Sequence, residues 1–79
     1  MPKDARRELD ELAQRPDNIR PREMEKVARD AGWTHRRTTG GHAIYKKEGA
    51  PRPLPIPQHP GALKGKLAKK LIERIRESL

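Results

Sequence analysis

The chain has 79 residues and a formal charge of +8, from 19 Lys and Arg against 11 Asp and Glu, with 32% hydrophobic residues and no cysteine. That length allows one small domain, and the lack of cysteine excludes a disulfide scaffold, a cysteine-based zinc finger and a thiol nucleophile. No apolar run approaches the ~18 residues of a membrane span and no signal-peptide core follows Met1, so a soluble, cytoplasmic protein without a membrane partner is expected. One Trp, one Tyr and no Phe leave no aromatic platform for stacking single-stranded bases.

The apolar residues Ala5, Leu9, Leu12 and Ala13 form one helical stripe and predict a helix over residues 4–14. Arg15-Pro16-Asp17-Asn18 is turn chemistry. A second helix is expected from Pro21, with Glu23 and Glu25 near its positive end, a buried stripe of Met24, Val27, Ala28 and Ala31, and Gly32 as its capping glycine. From Trp33 the period changes. Residues 33–38 and 42–47 predict two strands joined at Gly40-Gly41, a hairpin signal. Pro53-Leu54-Pro55-Ile56-Pro57 places all missing N–H groups along one side, so this segment can only be an edge strand, one that resists pairing with another copy. A monomeric free protein is therefore expected. The last helix spans about residues 65–78, with Leu67, Ala68, Leu71, Ile72, Ile75 and Leu79 in one arc and Lys66, Lys69, Lys70, Arg74 and Arg76 in the other. No internal repeat or low-complexity tail is present.

The charge is segregated. Residues 1–31 hold eight basic and eight acidic side chains, whereas residues 32–79 hold eleven basic and three acidic ones together with His35, His42 and His59. An acidic partner is expected to meet the second segment.

The element order α-α-β-β-β-α predicts an α+β fold, a three-stranded antiparallel sheet with helices packed on one face. Its last five elements follow the order of a double-stranded-RNA-binding domain, which reads shape through phosphates and 2′-hydroxyls and so needs Lys and Arg more than aromatic rings. Lys64, Lys66, Lys69 and Lys70 at the start of the last helix are candidate RNA contacts.

Gly32-Trp33, Arg37-Thr38-Thr39-Gly40-Gly41-His42-Ala43-Ile44-Tyr45, Ile56-Pro57-Gln58-His59-Pro60-Gly61 and Leu63-Lys64-Gly65-Lys66-Leu67 together resemble the HicA family, small toxins of bacterial toxin–antitoxin pairs with a double-stranded-RNA-binding-like fold. The resemblance covers residues 20–79, and residues 1–19 resemble the added N-terminal helix and turn of longer members; the whole is read as a single domain, 1–79. It implies a ribonuclease that cleaves mRNA and arrests growth until a HicB-type antitoxin occludes it, with the catalytic histidine falling on His42. Two positions depart from the family pattern. Gly41 stands where Ser or Thr usually precedes the histidine, removing a hydroxyl that orients the site, and Lys66 stands where Thr is common.

The chemistry suits a histidine. RNA carries its own nucleophile, the 2′-hydroxyl, so cleavage needs a group that removes its proton and positive charge at the phosphate; an imidazole, with an ordinary pKa of about 6.5, serves near neutral pH. His42 is accordingly the candidate general acid–base, with Lys46, Arg37 or Lys64 as phosphate-stabilising groups. No cofactor is expected, and a metal site has little to build from in a segment whose carboxylates are Glu48, Glu73 and Glu77. His42 shares strand parity with Ile44, which also fits a core histidine bonded to backbone. His59 is either a second proton-transfer group or a loop-orienting side chain, and His35 a surface residue. A non-catalytic RNA-binding module is the competing function; a DNA-binding helix-turn-helix is disfavoured by Glu23, Glu25 and Asp30 on the recognition helix.

Overall fold

A computed structural model describes residues 4–79; residues 1–3, included in the single-domain reading, lie outside them. Helix α1 (Ala5–Ala13) starts where the Asp4 carboxylate accepts a hydrogen bond from the Arg7 N–H at 3.3 Å. Helix α2 (Pro21–Asp30) begins at the expected proline and ends in a Schellman motif: the Trp33 N–H donates to the Ala28 carbonyl and the Gly32 N–H to that of Arg29, both at 2.9 Å, with Gly32 at φ +98°. Strands β1 (Thr34–Thr39) and β2 (His42–Lys46) follow, then β3 (Leu54–Pro57) and helix α3 (Gly65–Glu77). Gly40 and Gly41 both have positive φ, +57° and +77°, the requirement of a two-residue type I′ hairpin turn.

The sheet order is β1-β2-β3, both pairs antiparallel, so the proline-alternating strand is indeed at an edge. Leu54 and Ile56 oppose Tyr45 and Ala43, and the Gln58 N–H continues the same edge by donating to the Gly41 carbonyl at 2.7 Å. Helices α2 and α3 lie on one face of this sheet, and α1 packs against those two helices. Eighteen buried residues drawn from the three helices, β2, β3 and the loops form one core cluster, to which the fully exposed β1 contributes none.

Three expectations are corrected. Ala13 is exposed, because the α1 stripe is used only through Leu12. Leu79 is 41% exposed, since α3 ends at its C-cap Ser78 and the last residue runs past the core. On β2 the core face is Ala43 and Tyr45; Ile44 is half-buried on the opposite, open face. His42 does share parity with Ile44, but that is the open side of the sheet, so a core-histidine role falls away. Two core residues carry no periodic signal. Ile19 and Leu63 sit in loops, both buried, and are joined where the Leu63 N–H donates to the Ile19 carbonyl at 2.7 Å.

Candidate functional site

The open face of the sheet is built by register. His42 opposes Thr39, Ile44 opposes Arg37 and Lys46 opposes Thr34, and paired residues of antiparallel strands project to the same side. The bulge between His35 and Arg37 is what brings Arg37 onto this face; without it, strict alternation from His35, which opposes Tyr45, would still leave Arg37 with the core parity. Arg37 is thus the diagonal neighbour of His42, at the ~7–8 Å typical of such positions. Lys46 shares the face but lies four residues along the strand, roughly 13 Å at ~3.3 Å per residue. The structure therefore brings Arg37 to His42 and leaves Lys46 at the far end.

His42 is exposed, and its Nδ1 lies 3.0 Å from the Gly40 carbonyl oxygen. A carbonyl only accepts, so Nδ1 carries the proton and the neutral ring presents the lone pair of Nε2 outward. The type I′ turn aims this bond, because both glycines must adopt φ > 0 for the Gly40 carbonyl to turn back on the ring. His59 is held in the same way, Nδ1 at 3.2 Å from the Pro60 carbonyl oxygen, and is also exposed. It follows Pro57, the β3 partner of His42, by two residues, so both imidazoles occupy the same end of the sheet. His35 is exposed as expected; its Nε2 pairs with the Thr38 hydroxyl at 3.0 Å and its ring meets Tyr45 edge-on at 5.4 Å.

A polar network that sequence reasoning missed fixes this end from beneath. The Glu25 carboxylate accepts from the Tyr45 hydroxyl at 2.7 Å and from the Gln58 side-chain amide at 2.9 Å, while Arg29 donates to the Tyr45 oxygen at 3.1 Å. Burial, then the Glu25 carboxylate, pushes the Tyr45 phenol up to about 12, so it remains a proton donor. Gln58 in turn bonds Gly41 through its backbone, and so α2 is keyed to the turn that carries His42. The partners are 20 and 33 residues apart, beyond any local pattern.

The four lysines of the last helix do not form one surface. Lys66 and Lys70 share an α3 stripe with Arg74, and Lys70 and Arg74 border a groove with Ile44, Arg52 and Pro55 beside the open face. Lys69 looks the other way, toward Ala13 on α1. Arg74 donates to the Arg52 carbonyl at 3.1 Å, and burial with the nearby Arg52 charge lowers its pKa. At the N-cap, Lys64 makes no capping bond; the carboxylate of Asp17 instead packs where a side chain on Gly65 would lie. The positive end of α3 is thus already faced by an anion.

Among the described residues no cluster of three His, Asp or Glu side chains has the arrangement of a metal site, and no helix is long and apolar enough to cross a membrane. The sequence model described as the HicA toxin of bacterial toxin-antitoxin matches residues 21–77. No curated protein and no solved structure matches the chain.

Proposed function

The chain belongs to the HicA family of toxins from bacterial toxin–antitoxin pairs, and from that premise we propose that it is an endoribonuclease that cleaves mRNA without a metal cofactor, with His42 as general acid–base. One observation carries this reading: His42 stands on an open sheet face with Nδ1 held by the Gly40 carbonyl and Nε2 free of any hydrogen bond among the described residues.

In the proposed reaction Nε2 takes the proton of a 2′-hydroxyl. The 2′-oxygen attacks the adjacent phosphorus, the bond to the 5′-oxygen breaks, and that oxygen leaves with a proton, giving a 2′,3′-cyclic phosphate and a 5′-hydroxyl end. Arg37, the diagonal neighbour, neutralises charge gathering on the phosphate; Lys46 is placed for a neighbouring nucleotide. His59 is the candidate donor to the leaving oxygen, and Lys64, Lys66 and Lys70 are candidate contacts to flanking RNA, whereas Lys69 is turned toward α1. The 2′-hydroxyl supplies the nucleophile, so no step requires a metal-bound water. The partner is a HicB-type antitoxin that covers this face, and the setting is cytoplasmic, with growth arrest as the outcome when the antitoxin is lost.

The test follows RNA integrity with purified wild type and His42→Ala in the presence of EDTA, alongside RNA binding. Loss of cleavage with binding retained is the expected result. Equal RNA decay in both proteins refutes the catalytic assignment and leaves an RNA-binding module.

A further inference from the structure

We propose that the pocket between the start of α2 and the loop after β3 is a phosphate subsite for the RNA strand that passes His42, a site that rests on the nuclease reading above. The pocket has a volume of about 400 Å³ and is lined by Arg20, Pro21, Arg22, Gln58, His59 and Gly61. The net charge of its first segment conceals it, because residues 1–31 balance to zero.

What makes it positive is the way neighbouring acids are engaged. Glu23 accepts from Arg15 at 2.6 Å and from the Arg20 backbone N–H at 3.0 Å, and these bonds hold its carboxyl below the usual range. Glu25 is taken by Tyr45 and Gln58. The guanidinium groups of Arg20 and Arg22 are exposed and make no hydrogen bond or ion pair among the described residues. Two cations outside any ion pair among the described residues therefore border the pocket, Arg20 also adding to the charge that lowers the Glu23 carboxyl, with His59 beside them. At the start of α3, by contrast, Asp17 supplies an anion.

The pocket adjoins the His42 end of the sheet through Gln58. Gln58, part of its lining, donates its backbone N–H to Gly41, the residue before His42. A strand presenting a 2′-hydroxyl to His42 thus runs on toward Arg20 and Arg22, whose planar forks suit phosphate oxygens. Phosphate rather than an acidic polypeptide is the ligand because the subsite adjoins the histidine that acts on the same backbone.

The experiment uses a single-stranded RNA oligonucleotide carrying 2′-O-methyl groups throughout, which binds without being cleaved, and fluorescence anisotropy over a salt series. Three proteins are compared: wild type, Arg20→Gln/Arg22→Gln, and Arg6→Gln/Arg7→Gln, which removes the same charge from exposed positions on α1. The pocket variant is expected to bind about tenfold more weakly and to flatten the slope of log K against log salt by about 1.4, the value for two phosphate contacts on a single strand. The α1 variant is expected to change affinity less than twofold. Equal losses in both variants, no loss in the pocket variant, or competition by poly-L-glutamate as effective as that of the RNA would overturn the subsite. Cleavage by wild type and His42→Ala is scored separately. A protein that cleaves nothing, yet loses RNA affinity only when Arg20 and Arg22 change, retains the subsite and refutes the nuclease reading.

Discussion

In residues 4–31 four of the eight acidic side chains form ion pairs: Glu8 and Asp30 meet Lys26, Asp10 meets Arg76, and Glu23 meets Arg15. From residue 32 onward Arg37, Lys46, Lys64, Lys66, Lys69 and Lys70 meet no acid within ion-pair distance among the described residues. The pairs of the first region are exposed enough that each contributes little to stability, about 0–1 kcal/mol. Their larger effect is to decide which cations stay available. Arg20 and Arg22 stay outside these ion pairs because Glu23 bonds the Arg15 guanidinium and Glu25 bonds Tyr45 and Gln58, so a segment whose charges sum to zero still presents a positive pocket.

The strongest way to break this contrast is at the His42 end of the second region. His42→Ala is expected to lower the cleavage rate by about 10²–10⁴, the usual worth of a positioned base, measured as initial rate on a defined RNA. In the first region the largest expected loss is structural. Ile19→Ala should cost about 2–5 kcal/mol in a urea melt, because Ile19 is fully buried and ties residues 4–20 to the loop before α3.

Tyr45→Phe probes the network joining the two regions. The hydroxyl bonds two charged groups, so about 1.5–3 kcal/mol is expected at neutral pH. An unfolded phenol ionises near 10 and the folded one near 12. Between those values the unfolded chain holds fewer protons, and stability falls as pH rises. The excess stability of wild type over Tyr45→Phe should therefore be complete below pH 10 and shrink through about pH 12; a constant difference across that window contradicts the assignment.

Gly41→Ser restores the hydroxyl common in the family at the expense of an L residue at φ +77°. The space around it is open, so the expected loss of about 1–2 kcal/mol is backbone strain alone, read as a lowered urea midpoint. The smallest effect is expected for Arg76→Gln, which removes the exposed pair with Asp10 and should change stability by less than about 1 kcal/mol.

Local chemistry accounts for most of the element boundaries. The start of α2 at Pro21, its end at Gly32, the Gly40-Gly41 hairpin and the edge position of β3 each follow from a φ restriction or a missing donor, which act within a few residues. The candidate site was legible in part. His42 followed from the resemblance to the HicA family and Arg37 from its residue type, but the segment His42-Ala43-Ile44-Tyr45-Lys46 is apolar on both parities, so alternation alone does not say which side meets the helices. Arg20 and Arg22 were hidden inside a neutral charge sum.

By itself the sequence determined the order of helices and strands and the edge prolines, because these depend on backbone geometry and intrinsic chemistry. Only the tertiary structure decided which face of β2 is open, that Arg37 rather than Lys46 neighbours His42, and which cations remain unpaired. Those outcomes depend on a bulge that shifts register and on side chains 20 to 66 residues apart meeting across the fold.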